Sequence, residues 1–283
     1  MQLFDTHFHL PEEKESDFLT FDREIEEHLR LSAKTLTLPA ESFQLSTLAA
    51  GGDFISSQRA MEYANRHENS WFSCGVHPHQ AAEYLAAPED FSIFKNAGKL
   101  VAIGEIGLDY YYEESPVAEQ LTVFDRFLAL ALEWKLPAML HIRDKADSFA
   151  AGNDALLRLR EFSNAGGKFV IHCCTIPKEK IGAFLELGAM IGVTGMITFK
   201  RAENVREMLN MVPMENLLLE TDSPYLAPVP FRGRNNTPGL LPLAAQTLAA
   251  ERSLPLEELC RITTENAGRF YLSPKAKELN SCT

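Results

Sequence analysis

The stretch LVAIGEIGLD, residues 100–109, predicts a single β-strand that is largely apolar on both faces. Successive side chains of a strand point to opposite sides, so a strand with one wet face alternates apolar and polar residues. Strands that are apolar on both faces are typical of parallel sheets covered by helices. The charged residues of this stretch, Glu105 and Asp109, fall in its second half. We therefore expect a buried parallel strand with carboxylates toward its carboxyl end.

The same kind of apolar run recurs along the whole chain and alternates with amphipathic helical stretches. Eight strands are predicted, at residues 3–9, 34–40, 71–79, 100–109, 137–144, 168–175, 189–199 and 216–224. Helices are predicted at about 16–32, at about 117–135 and within 238–271.

Eight strand–helix units in 283 residues predict an α/β fold of the (β/α)₈ TIM-barrel type. The alternative is an open doubly wound sheet, which often carries a glycine-rich phosphate loop after its first strand. Here the first strand is followed by LPEEKES, residues 10–16, which contains no glycine. No linker, low-complexity tract or break in composition divides the chain, so we expect one domain over residues 1–283.

Composition and charge restrict the environment and the substrate. The chain has five cysteines, an odd number that fits reduced thiols. No apolar run approaches the roughly 18–20 residues of a membrane helix, and no signal-peptide pattern is visible. We therefore expect a cytoplasmic protein with no membrane association and no obligate protein partner. The net charge of −12 argues against a broad nucleic-acid-binding face, so a polyanionic substrate would need a local positive site.

Histidines and carboxylates cluster near the carboxyl ends of the predicted strands, where barrels carry their active sites. In DTHFHL, residues 5–10, His7 and His9 share one face of the first strand. An edge strand with solvated histidines would explain this pair alone, but Phe4 and Phe8 indicate that the opposite face is buried. Taken singly, each residue of the cluster could be a core histidine or part of a polar turn, and only their joint position favours a functional site. The cluster comprises His7, His9, His77, His79, Glu105, Asp109, His141, Arg143, His172 and Asp222.

Imidazole and carboxylate groups are ligands for zinc, manganese, iron, cobalt and nickel, and carboxylates also suit magnesium. Six ligands drawn from this cluster would be too many for one catalytic ion, because such an ion must keep one coordination position open for water or substrate. The set therefore favours two divalent ions bridged by one carboxylate. Glu105 is the candidate for this bridge because its strand is central in the predicted order.

Six motifs, in order, resemble those of the TatD family of metal-dependent deoxyribonucleases, a branch of the amidohydrolase-like barrels. They are DTHFHL (5–10), GVHPH (75–79), GEIGLDYY (104–111), HIRD (141–144), HCCT (172–175) and ETDSPYLAP (220–228). The similarity extends to Gln120 and to RITTENAGRFY (261–271), so that it covers the chain from Asp5 to about Phe270.

The resemblance implies a specific assignment of the site residues. One divalent ion would be held by His7, His9, Glu105 and Asp222, and the second by Glu105, His141 and His172. Asp222 would also accept the proton of the attacking water, so that Asp222 and Glu105 are the catalytic residues. The ions would be Mg²⁺, Zn²⁺ or Mn²⁺. The resemblance also implies that His77 lies near the substrate phosphate, and we expect Arg143, Arg232 and Asn236 to bind the substrate as well.

Two segments depart from the family pattern. HCCTI, residues 172–176, stands where HCFTG is usual, and RGRNNTP, residues 232–238, stands where RGKRNEP is usual. Both are expected in loops at the active face, so they affect substrate preference and leave the ligand set intact. Cys174 would serve as a nucleophile only with a lowered pKa and with access to the substrate, and packing is the favoured interpretation.

These features together predict a hydrolase that cleaves phosphodiester bonds in DNA, with a water activated by two divalent ions. The ions would outweigh the two carboxylates among the ligands, which makes the site locally cationic and suits a single strand or a strand end. One alternative is a small-molecule amidohydrolase or lactonase. Many of these bridge their metals with a carboxylated lysine, and residues 100–109 contain none. Another is a non-catalytic metal-stabilised scaffold, which the complete ligand set disfavours.

Overall fold

The computed structural model describes residues 1–11 and 18–272. Within them, eight parallel strands follow one another in one sheet in chain order and alternate with helices, so the predicted (β/α)₈ barrel fold is confirmed. The strands are β1 Gln2–Phe8, β2 Gln44–Ala49, β3 Ser70–Cys74, β4 Leu100–Asp109, β5 Ala138–Arg143, β6 Phe169–Ile171, β7 Met190–Val193 and β8 Leu217–Leu219.

The helices of the described residues confirm the long helix after β4 and the helical C-terminal region. The predicted beginning of the first helix, near residue 16, lies outside the described residues. The α-helices are α1 Phe18–Thr35, α2 Phe54–Arg66, α3 Ala81–Ala86, α4 Val117–Trp134, α5 Ala150–Asn164, α6 Lys178–Leu185, α7 Glu203–Leu209, α8 Leu241–Glu251 and α9 Leu256–Ala267. None of the helices described combines the length and the apolar character needed to cross a membrane.

The second strand was predicted wrongly at residues 34–40. Helix α1 continues to Thr35, and its end is closed by local bonds from the Leu36 N–H to the Ser32 carbonyl and from the Leu38 N–H to the Ala33 carbonyl. These bonds use the backbone groups that a strand would have offered to its neighbours. The strand is instead QLSTLA, residues 44–49, whose last two side chains are fully buried.

Several other strands end earlier than predicted, and this places functional side chains in the loops that follow them. Strand β3 ends at Cys74, and His77 caps a short 3₁₀ turn by accepting the His79 N–H. After β6 and β8 the backbone adopts left-handed conformations, with φ of 45° at Cys173 and 56° at Asp222. Non-glycine residues rarely adopt such angles, so these loops bend sharply at the ends of their strands.

The chain divides into two compact units: Met1–Leu48 with Gly192–Thr283, called unit A here, and Ala49–Ile191, called unit B. The expectation of a single domain stays a prediction. In unit B, β4 is buried along its whole length between β3 and β5. Its register pairs Gly107 with His141 and Asp109 with Arg143. Gly107 has a φ of 146°, and a Cβ there would lie 1.9 Å from the His141 carbonyl oxygen, so glycine is needed for β5 to approach.

In unit A, a buried carboxylate connects β1 to the segment after β8. Asp5 accepts hydrogen bonds from the Thr221 N–H at 2.9 Å and from its hydroxyl at 2.5 Å. The backbone continues the connection, because the Asp222 N–H donates to the His7 carbonyl and the His9 N–H donates to the Ser223 carbonyl. Burial raises the pKa of Asp5 to about 8 despite these donors.

Candidate metal centre

In unit B, three imidazoles surround the carboxylate of Glu105, which is almost fully buried in β4. One oxygen of Glu105 lies 2.9 Å from His141 Nδ1, 3.6 Å from His77 Nε2 and 3.7 Å from His172 Nε2. Ligand atoms of His77, Glu105 and His141 all lie within 4.8 Å of one another. Two or three imidazoles converging on one carboxylate form a donor set of the kind that Zn²⁺ and Mn²⁺ accept, so these residues fit a divalent ion.

A second carboxylate of unit B, that of Asp109, contacts His141 and the neighbouring His79. One of its oxygens lies 3.1 Å from His141 Nε2 and 3.0 Å from His79 Nε2. The other oxygen accepts the backbone N–H groups of Tyr111 and Tyr112, each at 2.9 Å. Burial alone would raise the pKa of Asp109, but the hydrogen bonds from His141, His79 and the backbone outweigh it and hold this pKa well below its usual range.

The contacts of His141 determine which of its nitrogens can bind an ion. Because Asp109 accepts at Nε2, the proton of a neutral His141 belongs on Nε2, and Nδ1 presents its lone pair toward Glu105. A carboxylate that fixes the tautomer of a ligating histidine is a common feature of metal sites. In the metal-free protein, burial lowers the pKa of His141, but the bonds to Asp109 and Glu105 outweigh it and raise this pKa above its usual value.

Gln120 of α4 is fully buried and fastens the end of β4. Its side-chain oxygen accepts the Asp109 N–H at 2.8 Å, and its amide nitrogen donates to the carbonyls of Asp109 and Ser115 at 3.0 and 2.8 Å. The Ser115 hydroxyl in turn donates to the His79 carbonyl. The segments that carry His79 and Asp109 are therefore fixed to each other and to α4.

In unit A, His7 and His9 lie side by side with Asp222. The Nε2 atoms of the two histidines are 3.0 Å apart. One carboxylate oxygen of Asp222 lies 3.8 Å from His7 Nε2 and 3.7 Å from His9 Nε2. His7 is fully buried, whereas 25% of the His9 side chain is exposed. Two imidazole nitrogens and a carboxylate oxygen that converge in this way also fit a divalent cation.

The residues predicted to bind substrate lie in different surroundings. His77 packs its ring against those of His79 and His141, with centroids 4.3 and 4.6 Å away, so it stands among the potential ligands of unit B. Arg232 is exposed, and its guanidinium lies over the ring of Phe199 at 4.3 Å. Asn236 is buried and donates to backbone carbonyls of residues 221 and 225, so its observed contacts are structural.

Cys174 is buried, in agreement with the packing interpretation. Two features escaped the sequence analysis. The clustering of polar residues included His79 and Asp109 but assigned them no role, although Asp109 occupies the last position of a strand whose other charged residue is Glu105. The two exposed tyrosines that follow Asp109 were not considered as site residues.

Comparisons with known proteins agree with this geometry. The family described as TatD related DNase matches residues 4–272. The uncharacterized metal-dependent hydrolase YcfH of Escherichia coli K12 is 38% identical over 212 residues, which cover 74% of this chain and 77% of YcfH. The 3'-5' ssDNA/RNA exonuclease TatD of Pantoea ananatis is 36% identical over 246 residues, which cover 84% of this chain and 92% of that protein.

A relative that matches over nearly the whole chain and a solved structure indicate the same family and fold. YabD of Bacillus subtilis, also an uncharacterized metal-dependent hydrolase, is 33% identical over 272 residues, 95% of this chain and 98% of YabD. The crystal structure of YjjV, a TatD homologue from Escherichia coli, superimposes with a TM-score of 0.75 at 24% identity and covers 95% of this chain and 97% of YjjV, which supports the fold. The family match covers nearly all of the described residues, and these relatives agree with it. The chain therefore belongs to the TatD family of metal-dependent hydrolases.

Proposed function

We propose that this hydrolase removes nucleotides from the ends of single-stranded DNA by two-metal hydrolysis of phosphodiester bonds. The observation that carries the proposal is the position of Glu105, whose carboxylate lies within 2.9–3.7 Å of three imidazoles. A buried carboxylate with that many convergent donors supports a catalytic metal rather than a core of structural histidines. The exonuclease name of the Pantoea ananatis relative supports the substrate class.

The proposed distribution of ligands is the one that the family resemblance implies. His7, His9 and Asp222 would hold one ion together with Glu105, and His141 and His172 would hold the second with the same glutamate. The local geometry within each unit is compatible with this assignment. In unit A the donor atoms of His7, His9 and Asp222 all lie within 4 Å of one another. In unit B, His141 and His172 each lie within 4 Å of the same Glu105 oxygen. Unit B also offers His77 as a further donor.

The side chains of the protein would perform separate tasks in the reaction. When bound, the ions would lower the pKa of a water toward about 7 and polarise the phosphoryl group. Asp222 would accept the proton of that water, since it combines a carboxylate with partial exposure at 13% of its side chain. Asp109 would keep the Nδ1 lone pair of His141 directed at the site. The exposed guanidinium groups of Arg143 and Arg232 would donate hydrogen bonds to phosphate oxygens.

The acidic surface of the protein fits this substrate better than it fits a long duplex. At a net charge of −12, extended contact with a duplex is unfavourable, and binding depends on the few phosphates that reach the metal centre. A single-stranded end presents its phosphates one at a time, so a small cationic site is sufficient.

The proposal is tested by digesting end-labelled single-stranded DNA, duplex DNA and RNA of one sequence with purified protein in Mg²⁺, Mn²⁺, Zn²⁺ or EDTA. We expect stepwise shortening of the single strand that requires a divalent ion and that Glu105→Gln abolishes. If no nucleic acid is cut under any of these conditions while lactones or amides are hydrolysed, the small-molecule alternative replaces the proposal.

A further inference from the structure

Two tyrosines project from the loop after β4 with about half of their surface in solvent, 47% for Tyr111 and 53% for Tyr112. The guanidinium of Arg143, the last residue of β5, lies 4.5 Å from the ring centroid of Tyr111 and 4.8 Å from that of Tyr112. The two rings are 4.8 Å apart and nearly perpendicular. These three side chains are called the tyrosine–arginine platform below.

The sheet sets the position of the platform. Arg143 is paired with Asp109 in the β4–β5 register, and its carbonyl accepts the Tyr110 N–H at 2.9 Å. The next two N–H groups, of Tyr111 and Tyr112, both donate to the carboxylate of Asp109. The backbone beneath the rings is therefore fixed without any contribution from the rings themselves.

The rest of the loop is tied down on both sides. The Tyr110 hydroxyl donates to Asp154 at 2.8 Å, and Glu113 forms an ion pair of 2.7 Å with Lys145. Ser115 donates to the His79 carbonyl at 2.7 Å. Because the loop is ordered by these bonds, a ligand that stacks on the rings has less chain to order when it binds.

The platform adjoins the candidate metal centre of unit B. The Tyr112 ring lies 5.6 Å from that of His79, edge to face. The same Asp109 carboxylate that accepts the two tyrosine N–H groups also contacts His79 and His141. One carboxylate thus connects the exposed rings to a predicted metal ligand.

We propose that the tyrosine–arginine platform is a stacking subsite for an unpaired nucleobase next to the phosphate at the metal centre, an inference that rests on the proposed function. Aromatic rings stack on all bases, because every base has a π-face. The guanidinium of Arg143 stacks on the rings and presents its planar N–H edge to a phosphate oxygen. In a duplex the faces of the bases are covered by their neighbours, so this subsite selects single strands with little sequence preference.

The test compares the double variant Tyr111→Leu/Tyr112→Leu with the matched variant Tyr111→Phe/Tyr112→Phe, which keeps both rings. Binding is measured by fluorescence in EDTA and again in Ca²⁺, with single strands that carry 2-aminopurine at successive positions from the end. Matched strands carry an abasic site at the same positions and are titrated as competitors of the 2-aminopurine strands, and DNA and RNA are compared. Ile93→Ser, which removes a 51% exposed side chain from the 3₁₀ turn before β4, controls for loss of surface apolarity.

The leucine pair should weaken binding of the base-containing strand roughly 5- to 150-fold and remove the quenching of 2-aminopurine, as expected when stacking is lost. The abasic strand should bind the wild type and the leucine pair with similar affinity, and the phenylalanine pair should stay within about 3-fold of the wild type for all strands. The loss should be similar on DNA and RNA, because both present the same base faces.

The stacking proposal would be refuted if the leucine pair and the wild type bound the base-containing strand with equal affinity. It would also be refuted if the leucine pair lost as much affinity for the abasic strand as for the base-containing strand. Cleavage separates this failure from failure of the proposed function. If the wild type and the leucine pair cleave the strand with the same KM, only the subsite is wrong. If the wild type neither binds nor cleaves any strand, the proposed function is wrong and the subsite falls with it.

Discussion

Replacing Asp109 by asparagine should weaken metal binding without removing a ligand. The two backbone N–H groups of residues 111 and 112 point at one oxygen of Asp109, so the asparagine side chain would keep its carbonyl oxygen there. Its amide nitrogen would then face His141 Nε2 and His79 Nε2, at the present distances of 3.1 and 3.0 Å. An amide nitrogen only donates, so His141 would have to accept at Nε2 and carry its proton on Nδ1.

That tautomer directs a proton, instead of a lone pair, toward Glu105 and the ion. Loss of a residue that orients a metal ligand typically costs about 10- to 100-fold in metal affinity or activity, which corresponds to about 1.4–2.7 kcal/mol. We expect Asp109→Asn to lower the affinity for Zn²⁺ or Mn²⁺ by this factor and to recover part of its turnover when more metal is supplied.

The assay is a competitive titration against a chromophoric chelator, followed by turnover as a function of metal concentration. The control is Asp125→Asn, which removes an exposed carboxylate of α4 that is paired with Arg158 and thus makes the same change in net charge. Thermal unfolding of the metal-free variants checks that both are folded. Metal affinity within 2-fold of the wild type, with unchanged turnover in Asp109→Asn, would refute the tautomer argument.

Three further predictions concern other residues. Asp222→Asn keeps the shape and one ligating oxygen but loses the base, so it should retain most of its metal and lose roughly 10²–10⁴ in kcat; near-normal turnover with full metal content would exclude the base role. His77→Ala should raise KM and leave metal content unchanged if His77 handles substrate, whereas loss of metal on elemental analysis would make it a ligand, as its 3.6 Å distance from Glu105 allows. Burial raises the pKa of the Cys260 thiol to about 11, so the folded state holds this proton more tightly than the unfolded chain. Its contribution to stability is therefore present below the unfolded pKa of about 8.5 and is lost as pH rises toward 11, and chemical denaturation should show a shallower alkaline loss in Cys260→Ala.

The strands were predicted best where burial and the spacing of apolar residues along the sequence determine the structure. Strand β4 was predicted at its observed bounds because a run that is apolar on both faces has few alternatives to a central parallel strand. The second strand was predicted wrongly because KTLTLPA alternates like a strand, while backbone bonds at the end of α1 decide its conformation. Such bonds depend on where the preceding helix ends, and residue types alone do not reveal that.

At the candidate site, too, residue types indicated the region but did not reveal how the side chains are held. The polar residues near the strand ends marked the region, since the barrel places strand ends on one face. The orientation of His141, the support from Gln120 and the exposed rings after Asp109 depend on how the loop folds back over the strand. Asn236 was predicted to bind substrate, and that role stays a prediction; the structure shows its amide nitrogen donating to backbone carbonyls of residues 221 and 225, a contact that a motif does not reveal.

The central claim is that Glu105 organises a pair of catalytic divalent ions, and one measurement tests it most directly. Wild-type protein and Glu105→Ala are loaded with Mn²⁺ or Zn²⁺, dialysed and analysed for metal content, and turnover of an end-labelled single strand is measured on the same preparations. We expect about two ions per chain and metal-dependent cleavage for the wild type. Glu105→Ala should be folded, hold well below two ions and be inactive. Retention of both ions and of turnover by this variant would contradict the account.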